Sequence, residues 1–99
     1  LGLGDDGHTA SLFPGTEAPG VTDQWATVGR GKGLDRITLT APVLSAARQV
    51  IFLVSGANKQ EALKRLLDPT ESSERTPARL VQPANDVLII ADQDATAGL

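Results

Sequence analysis

Two unbroken apolar runs, Val50-Ile51-Phe52-Leu53-Val54 and Val87-Leu88-Ile89-Ile90-Ala91, constrain the fold of this 99-residue chain more than any other feature. A strand with one wet face alternates apolar and polar residues, so an unbroken run predicts a strand covered on both faces, as in parallel sheets. Between the runs, Ala57 to Leu67 sets Ala62, Leu63, Leu66 and Leu67 on one face and spaces Glu61 and Arg65 four apart on another. That is the pattern of an amphipathic helix. Asp68-Pro69 ends it, and residues 68–79 read as a polar loop. Upstream, Arg36-Ile37-Thr38-Leu39-Thr40 alternates like a half-buried strand, and Pro42 suits the first position of a short helix reaching Arg48. Strand, helix, strand, helix, strand predicts an α/β fold: a largely parallel sheet with flanking helices in a Rossmann-like, three-layer arrangement.

The remaining stretches are less regular. Asp6 to Phe13 follows glycines and carries acidic residues where a helix would begin, which predicts a short helix capped by Asp5 or Asp6 and stopped by Pro14-Gly15. Gly15 to Asp35 holds five glycines and Pro19 with no sustained period, so it reads as a long loop with at most a short strand near Trp25 to Val28. Trp25 reads as a loop anchor. A small-residue segment, Asp92 to Leu99, follows the last strand.

Composition narrows the partners. Phe13, Trp25 and Phe52 are the only aromatics among 40% hydrophobic residues, so any core is aliphatic. Zero cysteines exclude a disulfide framework and fit a reducing compartment. No apolar run approaches the roughly 20 residues that span a bilayer, which speaks against a membrane protein. With a net charge of −3 and scattered Lys and Arg, no basic patch awaits nucleic acid. The chain has no methionine and opens on Leu1-Gly2-Leu3-Gly4, the tail of a buried strand, so it is expected to be a piece of a longer domain.

Gly2-Leu3-Gly4-Asp5-Asp6-Gly7 satisfies the G-x-G-x-x-G spacing of dinucleotide sites, but Asp5 and Asp6 would meet the pyrophosphate, and no acidic strand end follows about 20 residues later. A nicotinamide cofactor is not expected. More informative is Asp6-Gly7-His8, which puts the only histidine just after a strand, at the sheet edge where α/β proteins bind ligands. A helix start there keeps imidazole neutral and available as a base, whereas Asp6 favours the charged form and could fix one tautomer. Spacing alone allows His8 to be either a base or a turn cap. Lys59 lies on the same edge in the first turn of the next helix, where a cation opposes the helix dipole unless an anionic ligand joins it; it also reads as an ordinary surface lysine. Arg36 at its strand start reads equally as a solvated edge residue.

Leu1-Gly-Leu-Gly-Asp-Asp-Gly-His-Thr-Ala-Ser-Leu-Phe-Pro-Gly15 closely resembles the signature of the 6-phosphogluconolactonase family, and residues 36–48 and 52–59 are similar to later stretches of it. The resemblance implies a cytosolic, cofactor-free and metal-independent hydrolase of 6-phosphoglucono-δ-lactone, a sugar-phosphate substrate of the pentose phosphate pathway. It implies that Asp6 and His8 are catalytic, and that Lys59, Arg36 and Gly7 bind substrate. It also implies that residues 1–99 are the C-terminal part of one α/β domain whose phosphate loop lies elsewhere. The related glucosamine-6-phosphate deaminases share Asp-Gly-His but carry a glutamate where this chain has Phe13, which favours the lactonase over isomerisation or deamination. A non-catalytic sugar-phosphate-binding module is the remaining alternative. The resemblance leaves oligomeric state open.

Overall fold

The computed structural model describes residues Leu1–Leu99. Its central layer is a parallel pair, β3 (Val50–Val54) and β4 (Val87–Ala91), in register from Val50 opposite Val87 to Val54 opposite Ala91. Leu1–Leu3 extends this layer on the other side of β3: Gly2 bridges Leu53 in parallel, and the Leu53 N–H donates to the Leu1 carbonyl at 2.9 Å. Helix α2 (Gln60–Leu67), preceded by a 3-10 turn over Ala57–Lys59, packs on one face of this layer. Leu3, Val50, Phe52, Val54, Ala62 and Leu63 form the main core together with Ala78, Val81 and Ala95. The short helix α3 (Gln93–Thr96) lies beside α2, capped by Asp92, whose carboxylate accepts from the Ala95 N–H.

Two expectations about this layer change. The unbroken apolar runs predicted cover on both faces, but Leu53, Leu88 and Ile90 are exposed on the face opposite α2. The helices therefore flank one side, and the chain shows two layers here rather than three. β4 is correspondingly less buried than its composition suggested, with only Ile89 and Ala91 turned into the core.

The expected loop of residues 15–35 contains the larger departure. Strands β1 (Ala26–Gly31) and β2 (Leu34–Leu39) form an antiparallel hairpin, so the sheet content is not largely parallel. Its two-residue turn places Lys32 at φ 56° and Gly33 at φ 76°, the left-handed pair that matches strand twist in the tightest hairpins. Gly29 and Gly31 allow the hairpin to lie against the N-terminal loop, because a Cβ on Gly29 would fall 2.2 Å from the Ser11 carbonyl oxygen, and one on Gly31 2.4 Å from the Phe13 ring. Glycines that looked like loop residues are packing residues. Trp25, expected to anchor this region, is 84% exposed and anchors through its backbone, its carbonyl accepting from the Thr40 N–H. Helix α1 (Ala41–Ser45) follows β2 with proline in its first turn, and a second small core of Leu12, Ala18 and Ala41 joins the hairpin side to the main core through Leu44.

Candidate active site

The expected helix over Asp6–Phe13 is a set of tight turns. The Gly4 N–H donates to the His8 carbonyl at 2.8 Å and the Gly7 N–H to the Gly4 carbonyl at 3.0 Å, closing a loop at the end of the Leu1–Leu3 strand. Gly7 at φ +90° and Ala10 at φ 50° both leave the helical region. The carboxylate that would have capped a helix is used inside the loop instead: Asp6 Oδ1 accepts from the His8 N–H at 3.1 Å, a local bond of the kind that competes with helix.

That same oxygen lies 2.5 Å from His8 Nδ1. A carboxylate at this distance takes the ring proton onto Nδ1 and leaves Nε2 with the free lone pair, the state needed to accept a proton from water. Partial burial by itself would raise the Asp6 carboxyl, but the hydrogen bonds from the His8 ring and backbone, joined by attraction from His8 and Lys32, hold it below its ordinary value. Gly4 makes room for the pair. A Cβ at that position would fall 2.0 Å from His8 Nδ1 and 2.7 Å from Asp6 Oδ1.

Around this dyad the N-terminal loop supplies a wall and the hairpin two cations. Phe13 is buried with its ring centroid 4.5 Å from that of His8, and the Arg36 guanidinium lies over the Phe13 ring at 6.0 Å from its centroid, within reach of a cation–π contact. Lys32, on the hairpin turn, holds its Nζ 3.8 Å from both Asp5 and Asp6. Sequence reasoning missed Lys32, although Gly31-Lys32-Gly33 between two alternating segments is a hairpin signal. Arg36 sits at the third position of β2 rather than opening the strand.

Lys59 is on the expected edge, but it is not a free cation. Its Nζ donates to the Leu3 carbonyl at 2.7 Å, tying the start of α2 to the residue before Gly4. An acceptor at the strand end resolves its conflict with the helix dipole, and two of its three ammonium protons remain. Gly7 likewise has no free backbone donor: its N–H is given to Gly4, and its carbonyl accepts from the Ala78 N–H at 3.0 Å. What it offers is a positive φ and an approach without a side chain. No group of three or more Asp, Glu, His or Cys side chains converges as a metal cage. The largest surface concavity, lined by Gly15, Thr16, Pro19, Arg75 and Leu80 among others, includes neither Asp6 nor His8.

Residues 1–90 match the family described as glucosamine-6-phosphate isomerases/6-phosphogluconolactonase. The 6-phosphogluconolactonase of Synechocystis is 48% identical over 99 residues, covering all of this chain and 41% of its own length. Among solved structures, 6-phosphogluconolactonase from Leishmania guyanensis matches with a TM-score of 0.86 at 27% identity, over 100% of this chain and 40% of that one. The enzyme from Trypanosoma brucei matches at 0.85 with 33% identity and the same coverage. The chain thus spans about two fifths of the relatives it matches. These shares establish a partial span and leave the expected C-terminal position unsupported. With the signature block, the α/β layer and the Asp6–His8 dyad all in place, the chain belongs to the glucosamine-6-phosphate isomerase/6-phosphogluconolactonase family.

Proposed function

We propose that the protein hydrolyses 6-phosphoglucono-δ-lactone to 6-phosphogluconate, and that residues 1–99 are part of one α/β domain whose remaining portion completes the site. The observation that carries this reading is His8 Nδ1 held on Asp6 Oδ1 at 2.5 Å, with Nε2 left as the base. In this reading Nε2 takes a proton from water as its oxygen attacks the lactone carbonyl. The tetrahedral intermediate then collapses, the ring C–O bond breaks, and the imidazolium returns its proton to the departing ring oxygen. Asp6 stays ionised throughout, and its carboxylate stabilises the transient imidazolium while fixing the tautomer.

Phosphate recognition falls to two cations. Lys59 acts as a point charge with two protons to spare, and Arg36, over the Phe13 ring, offers a planar fork to phosphate oxygens. Gly7 lets substrate approach the turn. Phe13 supports hydrolysis over isomerisation or deamination, because an apolar ring 4.5 Å from His8 occupies the position where the deaminases carry a proton-transferring glutamate. The reaction needs only acid–base and electrostatic groups, and the absence of cysteine fits a cytosolic location. No helix is long and apolar enough to cross a membrane.

The test is acid release by the intact protein from freshly prepared lactone, measured in a pH-stat against spontaneous hydrolysis. His8→Ala is expected to remove about 10²–10⁴-fold of the excess rate. A folded His8→Ala protein with undiminished turnover refutes the assignment.

A further inference from the structure

One cluster of buried charge has no part in the chemistry above. The side chains of Arg65 on α2 and Glu71 in the following loop are only 15% and 7% exposed, yet Arg65 Nε stands 3.9 Å from Glu71 Oε2. That Nε is buried with no hydrogen-bond partner. An unmet buried donor costs stability, so its retention asks for a reason beyond stability. Glu71 is engaged elsewhere: its Oε2 accepts from Thr76 Oγ1 at 2.5 Å, and its Oε1 lies 3.6 Å from Arg75 Nη1.

The reason lies in what this cluster touches. Thr76 is fully buried, and its Cα and methyl lie 3.1 Å from where a Cβ of Gly7 would stand, with Arg65 Nη2 3.2 Å from the same point. Two residues on, the Ala78 N–H holds the Gly7 carbonyl. The stretch expected to be a polar loop therefore packs against the one residue that joins Asp6 to His8. The turn is also held by its own bonds to Gly4, and the groups near the dyad are Lys32, with Asp5 beside it, and Phe13, which Arg36 covers.

We propose that the Arg65–Glu71–Thr76 cluster is a positioning device that clamps the Asp6–Gly7–His8 turn, so that Asp6 keeps the His8 ring protonated on Nδ1. Thr76 is its contact residue, Glu71 fixes the Thr76 hydroxyl, and Arg65 fills the space beneath Gly7. The inference rests on the reading of His8 as the base. A 2.5 Å bond between two short side chains on one turn tolerates little drift of the backbone between them. Displacements of about 1 Å are enough to cost an enzyme a large part of its rate.

The experiment compares Thr76→Val, which keeps the shape and loses the hydroxyl, with Thr76→Ser, which keeps the hydroxyl. In the intact protein, ¹⁵N signals of the His8 imidazole, assigned by their loss in His8→Ala, report which nitrogen carries the proton, alongside kcat, KM and the thermal midpoint. Thr76→Val is expected to give a mixture of ring tautomers and about a tenfold fall in kcat, with KM within about twofold. Thr76→Ser is expected to keep the single Nδ1–H form and most of kcat. A folded Thr76→Val protein with the parental tautomer and kcat, however far its midpoint drops, overturns the proposal. If Thr76→Val does not fold, Glu71→Leu carries the same test, because it removes both the acceptor of the Thr76 hydroxyl and the charge facing Arg65; an unmoved tautomer in the folded variant also overturns it. A tautomer shift in a protein that fails to turn over the lactone upholds the clamp and refutes the hydrolytic reading instead.

Discussion

Gly4→Ala is the sharpest perturbation of the dyad, because it adds one methyl group and touches nothing else of consequence. The new Cβ would stand 2.0 Å from His8 Nδ1, 2.2 Å from His8 Cε1 and 2.7 Å from Asp6 Oδ1, whereas ordinary contact begins near 3.4 Å. The imidazole must retreat by the difference, about 1.4 Å, and the present 2.5 Å bond cannot survive that within the roughly 3.2 Å limit of a hydrogen bond. Losing a hydrogen bond to a charged group costs about 1.5–3 kcal/mol. Overpacking adds about 1–3 kcal/mol where the neighbours cannot yield. Misplacement of the base by this distance should lower kcat on the order of 10²-fold. Gly2→Ala is the control: nothing lies within 4 Å of its added methyl, so stability should move by less than about 0.5 kcal/mol and kcat should hold. The assay is steady-state lactone hydrolysis with urea unfolding of the same preparations. A Gly4→Ala protein with parental kcat would show that the dyad geometry does not set the rate.

Two further outcomes follow from the site's charges. Asp6 is depressed in the folded state, so the stability it contributes is present above its unfolded value and lost as pH falls through the folded one. The stability gap between the parental protein and Asp6→Asn should accordingly narrow as pH falls from about 5 to about 2, and a gap independent of pH in thermal melts would sever Asp6 from folding. Lys59→Ala should cost kcat/KM on the phosphorylated lactone roughly 10–100-fold, the worth of one charge-assisted hydrogen bond, and much less on gluconolactone. Equal losses on both substrates would reduce Lys59 to a clamp on the Leu3 carbonyl.

The parts of the fold that were legible in the sequence are those whose pattern is set by burial alone. β3 and α2 obey the periods of a buried strand and an amphipathic helix, and they fall within a few residues of the expected bounds. The strand over residues 36–40 was legible, but its pairing with Ala26–Gly31 escaped because the hairpin's inward face is written in residues that carry no hydrophobic signal. Gly29 and Gly31 pack by having no side chain, against Ser11 and Phe13, while the apolar Ile37 points outward and is 84% exposed. A periodicity that counts apolar residues cannot register a contact made by absence. The short helix over Asp6–Phe13 failed for a related reason, since an aspartate before a helix and an aspartate bonding its own loop look alike until its acceptor is spent on His8.

The site divides along the same line. Asp6 and His8 stand two residues apart and were legible as a pair; Lys59 and Arg36 were legible only as cations at element starts, because their partners, the Leu3 carbonyl and the Phe13 ring, come from 56 and 23 residues away in the chain. Thr76 and Glu71 gave no sign, being polar residues in a polar stretch, and became visible only through burial, Thr76 against Gly7 and Glu71 against Thr76 and Arg65. Long-range closeness is what a linear reading lacks, and near the site it is carried by small residues at crossing points: Gly7 on the 76–78 segment and Gly31 against Phe13, while Gly4 makes room for the dyad within its own turn. At Gly31 the two segments meet without room for a methyl group, and at Gly7 an added Cβ would stand 3.1 Å from Thr76. Gly4 borders the His8 ring itself, Gly7 precedes His8 in the chain, and Gly31 borders the Phe13 ring that lies 4.5 Å from it, so the same glycines that obscured the fold in the sequence limit where the base can stand.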